Sequence, residues 1–505
     1  MRNFLANALL TVVSVVACVA FAELAIRVID GQSPVSLVLP EQLGSEGIDT
    51  TGGHLDSIPR AASVERQLFF SDPPPLPNRK PVPAEWLELD RRIQREPQFA
   101  PNAPGDARPN PFLPWDMFKA WNSAFVGDPC KHPYLSGAPG RLWVYDPPNG
   151  EARPTFRFLP DATVPDGLTT NEFGWRGPPV TFKRSPRTIR IVFVGASTVA
   201  EIHPLPFSGP EYLDNWLNKW AEARRLDVRF EVLNAGRESI NSIDIAAIVR
   251  QEVAPTRPDL VVYYEGGNSL DLSTVVREVP KGRPMPGDPI ARWLRDMAQY
   301  SALARRAESL TVGGEWPKPP YEIAWPPGVD EFDPDIARPD LPVHLSRIVR
   351  DLDQIRADLD KVGSLLSVAS FHWLARDGLV VNAARHKPII VTLNVSYFPY
   401  TYRDLERLTA FENRVFAKYN EVHGLPFIDI ARYMPYDPDL FSDGIHNTPA
   451  GVKLRAWIAM QQLVPLIEAR LASGEWPRPV PDDMPDRHPA FVVPPRTITF
   501  DCKAS

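Results

Sequence analysis

The sequence predicts an α/β fold in which helices cover both faces of a parallel sheet. From about residue 186 onward, short apolar runs of strand length alternate with amphipathic stretches of helical periodicity. This alternation is typical of parallel sheets with crossover helices. The first of these runs stops at Gly195 and is followed closely by Ser197, at the end of a strand where open α/β sheets place their ligand crevice.

Five apolar runs are predicted to form the strands. They cover residues 189–194, 228–233, 260–264, 365–371 and 427–430. Helices are predicted between them, including a long one whose apolar residues from Leu345 to Val362 recur every three or four positions. This spacing also fits a coiled-coil seam, but three heptads are few, and we predict a helix packed on the sheet. Residues 382–401 fit either an extra strand or a long loop.

Proline-rich segments interrupt and flank the predicted sheet. The chain has 57 prolines among 505 residues, about twice the usual share. Segments of this kind disfavour long helices and central strands. We therefore predict an irregular extension over 30–165 that wraps the later domain or acts as a spacer. A main domain is predicted over 166–472 with an insertion at about 270–340, and a tail over 473–505.

An apolar N-terminal segment is predicted to insert into a membrane. Residues 4–22 carry no ionised side chain, and a helix of this length spans about 28 Å, the thickness of a bilayer core. We interpret residues 1–29 as an uncleaved signal anchor, because the apolar run is longer than a typical signal-peptide core. Cleavage at an A-x-A site ending at Ala22 and a lipoprotein signal at Cys18 are the alternatives. All three place the remaining chain outside the cytoplasm.

Charge and cysteine content narrow the range of partners. The formal net charge is −7, and no long cluster of Lys and Arg provides a surface for nucleic acid. Cys130 and Cys502 are the cysteines outside the apolar segment. In an oxidising compartment they either pair or remain two surface thiols. No third ligand with suitable spacing accompanies Asp443 and His446, so neither a metal nor an organic cofactor is predicted.

A serine, a histidine and an aspartate occupy positions suited to nucleophilic chemistry. Ser197 follows Gly195 and Ala196, which allow a sharp turn and leave room beside the hydroxyl. The segment "LFSDGIHNTPAG" carries Asp443 and His446 three residues apart. A serine hydroxyl becomes a nucleophile when an adjacent base removes its proton and a third group orients that base. Alternatively, Ser197 is a helix N-cap, and the other two belong to a polar turn that caps the following helix.

Two further polar segments follow the second and third predicted strands. Gly236 lies in "VLNAGRES" and Asn268 in "VVYYEGGNSLD". A glycine N–H and an Asn side-chain amide are suitable donors to a developing oxyanion. Taken singly, each residue fits an ordinary turn better, so the joint pattern is what matters.

Four short blocks of the sequence form that joint pattern. They are Gly195-Ala196-Ser197, Asn234-Ala235-Gly236, Gly266-Gly267-Asn268 and Asp443-Gly444-Ile445-His446. In order and placement they resemble the blocks of the SGNH (GDSL-type) serine hydrolase superfamily. The stretch "TNEFGWRG", at 170–177, resembles one found before the first strand in membrane-anchored bacterial members. Two positions differ, since Ala196 and Ser269 stand where aspartates are usual in the first and third blocks.

The resemblance implies a fold and a role for each site residue. The implied fold is a three-layer α/β/α sandwich with a flavodoxin-like parallel sheet, and the main domain is the implied catalytic domain. Ser197 is the implied nucleophile, His446 the general base and Asp443 its orienting partner. The backbone amides of Ser197 and Gly236 and the side chain of Asn268 are the implied oxyanion donors.

Other side chains are candidates for the substrate pocket. They are His372, Trp373, Glu265 and Arg176. Ordinary packing or solvent exposure is the alternative interpretation of each.

The expected function is that of an extracytoplasmic serine esterase anchored in a membrane. It would cleave an acyl ester of a carbohydrate, a lipid or a small molecule through an acyl-serine intermediate. An O-acyltransferase that passes an acyl group to an envelope or exported polysaccharide would use the same residues, with water excluded. A binding or scaffold protein that keeps the fold without turnover is the third hypothesis, motivated by the two altered block positions.

Overall fold

The protein is described by a computed structural model that covers residues 2–34, 37, 39, 49–84, 87, 88, 91, 123–125, 142–144, 150, 151, 153, 154, 156–165, 167–202, 206–278, 280, 281, 289–491 and 496–498. The strands are β1 (Ser123–Phe125), β2 (Leu142–Val144), β3 (Phe156–Phe158), β4 (Thr188–Gly195), β5 (Arg229–Asn234), β6 (Leu260–Tyr264), β7 (Val312–Gly313), β8 (Leu365–Ala369), β9 (Val381–Asn382), β10 (Phe427–Ile428) and β11 (Arg496–Ile498). The helices are α1 (Arg2–Ile29), α2 (Thr51–His54), α3 (Ser197–Ala200), α4 (Gly209–Ala223), α5 (Ser242–Ile248), α6 (Pro289–Ala298), α7 (Ala302–Ser309), α8 (Leu345–Asp360), α9 (Lys387–Val391), α10 (Tyr402–His423), α11 (Ile430–Tyr433) and α12 (Pro449–Ala472).

A five-stranded sheet in the order β10-β8-β6-β4-β5 forms the centre of the fold. All of its neighbouring strands pair in parallel. Every residue of β4 and β6 is buried, as expected for strands that are covered on both faces. The predicted α/β fold with a parallel sheet is therefore confirmed.

The strand boundaries predicted from the apolar runs agree with the structure to within two residues. The segment 382–401 differs from both of its predicted forms. Beyond β9 it folds into helix α9 and a wide helical turn over Thr392–Ser396. Pro388 in the first turn of α9 is compatible with this helix, because the N–H that proline lacks has no acceptor there.

Helices pack in layers against the sheet. On one side α4 contacts both β5 and α12, and on the other α8 contacts α5, α10 and β8. Helix α8 presents its apolar positions to the protein interior, since Leu345, Ile348, Leu352, Ile355 and Leu359 are fully buried. This confirms a helix packed within the domain rather than a coiled-coil seam.

One described stretch of the N-terminal extension, around Phe69, lies against the helical layer of α4 and α12. The Phe69 ring is 6.0 Å from the Trp216 ring and 5.6 Å from the Trp457 ring. Ser71 O accepts a hydrogen bond from Trp216 Nε1 at 2.8 Å. This stretch therefore wraps the domain.

The predicted alternatives for Cys130 and Cys502, a disulfide or two surface thiols, concern residues outside those that the structure describes.

Helix α1 contains the apolar segment predicted to enter a membrane. Asn7–Ile29 is, within the described residues, the one helix long and apolar enough to cross a bilayer, with a mean hydropathy of 2.5. Residues 7–21 of this helix are all exposed, and Cys18 among them is a free thiol. This length and composition fit a membrane anchor or a signal sequence.

Gly195→Ala should destabilise the sheet. A Cβ at Gly195 would lie 2.2 Å from Tyr264 O on the neighbouring strand, so the backbones must separate, at an expected cost of about 1–3 kcal/mol or more. Gly53→Ala is the matched control, because Gly53 is exposed and a Cβ there meets nothing within 4 Å. Urea unfolding of both full-length variants in detergent measures the difference, and equal midpoints would contradict this account of the close approach.

Candidate active site

The turn after β4 places Ser197 at the carboxyl edge of the sheet. Ala196 leaves the strand, and Ser197 begins helix α3. The Ser197 side chain does not cap α3, and Ser197 is 5 % exposed. Its Oγ lies instead 2.7 Å from His446 Nε2, so the structure does not show the N-cap alternative.

A chain of hydrogen bonds runs from Ser197 through His446 to Asp443, two residues that come late in the domain sequence. His446 Nδ1 lies 2.7 Å from Asp443 Oδ2. The other carboxylate oxygen, Oδ1, accepts the backbone N–H groups of Ile445 and His446, each at 2.8 Å. The carboxylate is thus held in place by its own loop, and it faces the imidazole nitrogen remote from Ser197.

The loop that carries these residues does not serve as the cap of the next helix. Thr448 is the N-cap of α12, and its Oγ1 accepts the N–H of Gly451 at 3.3 Å. The alternative interpretation of Asp443 and His446 as capping residues is therefore not what the structure shows. Their polar groups point to one another and to Ser197.

The charges around His446 favour its protonated form. Burial alone would lower the pKa of His446, but the negative charge of Asp443, its hydrogen bond and the charge of Glu238 outweigh burial and raise that pKa above its usual value. Burial likewise opposes ionisation of Asp443, yet His446 and the loop N–H groups lower the pKa of Asp443. The pair is suited to accept a proton from Ser197 and hold it.

The three expected oxyanion donors differ in their surroundings. Ser197 opens α3, so its N–H has no intrahelical acceptor. Asn268 is exposed, and its side-chain amide gives one hydrogen bond to Ile240 O at 3.0 Å, which leaves its second N–H. The Gly236 N–H instead donates to Asn234 Oδ1 at 3.0 Å. In this conformation the Gly236 amide is therefore already used, contrary to the expectation from the sequence.

Gly236 has a steric role that the structure makes clear. A Cβ at this position would lie 2.5 Å from Ala200 N and 2.8 Å from Val199 side-chain atoms. Asn234 Nδ2 also donates to Val199 O at 2.6 Å. The second block therefore supports the helix that begins with Ser197.

Glu265 organises the loop that carries Asn268. It is 1 % exposed, and its Oε1 accepts the backbone N–H of Asn268 at 2.7 Å and of Ser269 at 3.3 Å. Its Oε2 accepts Ser269 Oγ at 2.8 Å. Ser269 is thus part of this network. Glu265 holds the loop from inside the protein.

A second buried carboxyl lies behind the same loop. Glu412 on α10 is fully buried, and burial together with the nearby charge of Glu265 raises the pKa of Glu412 well above its usual value. Its Oε2 accepts a hydrogen bond from Trp373 Nε1 at 3.2 Å. A Cβ at Gly266 would lie 2.7 Å from Glu412 Oε1, so the glycine lets this carboxyl pack under the loop. Trp373 is accordingly a packed residue, 3 % exposed.

Arg176 and His372, two further candidates for the substrate pocket, contact other parts of the domain. Arg176 pairs with Glu211 at 3.2 Å and donates to the carbonyl groups of Ala200 and Glu201, so it braces the end of α3. His372 lines a surface groove of about 360 Å³ with Tyr436 and others, and burial lowers its pKa to about 4. The hydrogen bonds and ion pairs described for these two side chains go to Ala200, Glu201, Pro206, Glu211 and Ala431.

Arg455 is a supporting residue that the sequence interpretation did not identify. From α12 it pairs with buried Glu201 and donates to Thr198 O at 2.7 Å and Asn447 Oδ1 at 2.8 Å. It thereby links the helix of Ser197 to the residue after His446. An arginine within the apolar face of "AGVKLRAWIAMQQ" was the available signal, because an ionised side chain is rarely buried without a partner.

Within the described part of the chain, no group of three His, Cys, Asp or Glu side chains is arranged to hold a metal ion.

No protein-family model and no curated protein sequence matches the chain. Solved structures with similar folds include esterases and lipases. A lipase/acylhydrolase from Enterococcus faecalis is 16 % identical, with 56 % of this chain and 96 % of that chain covered and a TM-score of 0.29.

Two other similar structures have the same level of likeness. A GDSL-like lipase from Bacteroides thetaiotaomicron is 11 % identical, with 57 % of this chain and 91 % of that chain covered and a TM-score of 0.27. A catalytic mutant of an acetylxylan esterase from Geobacillus stearothermophilus is 12 % identical, with 54 % and 94 % covered and a TM-score of 0.30. Likeness at this level carries no information about the substrate.

Arg455→Ala should lower the free energy of unfolding by about 3–5 kcal/mol, because Glu201 is left as an unpaired buried charge. Arg187→Ala is the matched control, since the Arg187–Asp227 pair is 68 % and 73 % exposed and such pairs contribute little. Urea unfolding followed by circular dichroism measures both variants. Similar small losses in the two would show that the Arg455 pair does not support the turn.

Proposed function

We propose that this chain is a membrane-anchored serine esterase of the SGNH type, with its catalytic domain outside the cytoplasm. The observation that carries the proposal is the hydrogen-bond chain from Ser197 Oγ to His446 Nε2 and from His446 Nδ1 to Asp443 Oδ2, with 2.7 Å at each step. This is the arrangement that activates a serine hydroxyl. The exposed apolar helix α1 supports the anchoring.

In the acylation step, His446 Nε2 takes the proton of Ser197 Oγ while the oxygen attacks the carbonyl carbon of an acyl ester. The carbonyl oxygen then carries a negative charge, which the Ser197 N–H and the free N–H of the Asn268 side chain are suited to stabilise. Asp443 stabilises the imidazolium. When the tetrahedral intermediate collapses, the ester C–O bond breaks, and the leaving alcohol takes the proton from His446.

The second half reaction releases the acyl group. Water gives its proton to His446 and attacks the acyl-serine carbonyl carbon. Collapse of the new tetrahedral intermediate breaks the bond to Ser197 Oγ, which recovers its proton from His446, and a carboxylic acid leaves. A sugar hydroxyl in place of water would make the protein an acyltransferase, and mass spectrometry of the products with and without oligosaccharide acceptors separates the two reactions.

Ser197 is expected to react with a fluorophosphonate. The full chain in detergent should gain the mass of one adduct, which Ser197→Ala abolishes, because the activated hydroxyl is the nucleophile. Asp443→Asn should slow labelling, on the order of 10⁴-fold, because the imidazole loses its orientation and charge partner. Ser473→Ala, at an exposed serine, is the matched control and should label normally. A folded wild-type protein without an adduct would support the binding or scaffold hypothesis instead.

The pH dependence of esterase activity should report His446. The reaction needs neutral His446, and because its pKa is raised, kcat/KM should fall as pH drops through a value above the usual 6.5 or so. Glu238→Gln removes a negative charge that favours protonation, so the acid limb should move to lower pH. Glu222→Gln, at an exposed position on α4, should leave it in place. The pH profiles are measured with p-nitrophenyl acetate as the substrate. An acid limb that stays in place in Glu238→Gln would exclude this electrostatic role of Glu238.

A further inference from the structure

The last two turns of α1 are fastened to the hairpin formed by α6 and α7. The Glu23 carboxylate accepts hydrogen bonds from Ser301 Oγ at 2.7 Å, Ala302 N at 2.8 Å and Leu303 N at 2.9 Å. Glu23 thus caps the first turn of α7, where free N–H groups favour a negative charge. A side chain of the apolar helix therefore completes a helix that is distant in the sequence.

Further polar contacts continue this docking along α1. Arg27, 7 % exposed, pairs with Glu23 at 2.6 Å and donates to Tyr300 O at 2.7 Å. Asp30 forms an ion pair with Arg306 on α7. We call Glu23, Arg27 and Asp30 the helix lock. Glu23 meets the start of α7 and Asp30 meets Arg306 further along it, so the connection between α6 and α7 is the part of the hairpin nearest to the apolar span.

The uninterrupted apolar run of α1, residues 4–22, ends where the lock begins. Leu10, Val16 and Phe21 are 66 %, 61 % and 74 % exposed. Phe21 precedes Glu23 by two residues, about 3 Å of helix rise. When this span crosses a bilayer, the lock and the connection between α6 and α7 lie at the level of the lipid headgroups.

The hairpin exposes two aromatic side chains. Trp293 on α6 is 59 % exposed, and Tyr300, between the two helices, is 49 % exposed. Trp and Tyr favour the bilayer interface, because their rings are apolar while their N–H and O–H groups reach water. The Tyr300 carbonyl contacts α1 through Arg27, and Trp293 lies on the helix that leads to Tyr300.

We propose that the α6–α7 hairpin is a bilayer-contact surface, with Trp293 and Tyr300 among the headgroups of the membrane that α1 spans and the helix lock holding the hairpin to α1. The inference rests on the proposed anchoring of α1 and does not depend on the esterase chemistry. The hairpin leads into β7, which pairs with β9, and beyond β9 the Leu393 side chain packs against Gly444. A hairpin held on the bilayer therefore fixes the orientation of the site relative to the membrane.

Photoactivatable lipids test this contact. The full chain is reconstituted in phosphatidylcholine vesicles that contain a phospholipid with a diazirine close to the headgroup, and lipid adducts are mapped by mass spectrometry of peptides. We expect adducts on α1 and also on the peptide that carries Trp293 and Tyr300. Phe332 is 76 % exposed but lies outside the hairpin, so its peptide should remain unlabelled.

The helix lock is tested in the same vesicles. Glu23→Ala should reduce hairpin adducts several-fold while α1 adducts stay constant, because the anchor remains and only its hold on the hairpin is lost. Asp56→Ala, which removes a partner of Arg66 on the surface, is the matched control and should change neither. An unchanged hairpin signal in Glu23→Ala would overturn the role of the lock.

The labelling pattern distinguishes lipid contact by the hairpin from membrane anchoring by α1 and from esterase activity. Adducts on α1 without adducts on the hairpin would overturn the inference and leave the anchor intact. Adducts on neither would overturn the anchor and the inference together. Fluorophosphonate labelling of Ser197 in the same vesicles reports the esterase proposal separately, since that reaction does not require lipid contact by the hairpin.

Discussion

The parallel pairing of β4 with β5 and β6 is the constraint on which the site depends. Parallel strands end at one edge of their sheet, so residues that follow them in the chain meet there. The approach of β4 to β6 is so close that only a glycine fits at Gly195, and Gly236 permits a similar approach to α3. These contacts determine the position of Ser197 at the sheet edge. The loop that carries His446 then lies over that edge, with His446 Nε2 next to Ser197 Oγ.

Buried polar side chains hold the parts of the site around this sheet edge. Glu201 is paired with Arg455 from α12, while Glu265 accepts the N–H groups of the Asn268 loop. Removing Arg455 leaves the buried Glu201 carboxylate without a counter-ion, which costs far more than an exposed ion pair contributes. The turn of Ser197, the Asn268 loop and the segment after His446 are therefore held by interactions that depend on the whole domain being folded.

The same use of buried polar contacts occurs where α1 joins the domain. Glu23 and Arg27 form hydrogen bonds with the α6–α7 hairpin. An apolar helix attached through a flexible linker would leave the domain free to rotate above a membrane. The docked helix instead gives the domain one orientation relative to α1.

Local patterns in the sequence were sufficient to predict the strands and the long helix α8, because strand and helix periodicity are properties of short segments. The grouping of Ser197, Asp443 and His446 was instead expected from the resemblance in block order. The partners of Gly236, Glu265 and Arg455 were not predictable in this way. The Gly236 N–H donates to Asn234, Glu265 supports a loop rather than facing Ser197, and Arg455 links α12 to α3. Only the tertiary structure decides these contacts, because a buried polar group bonds to whatever groups the packing of distant segments brings within reach.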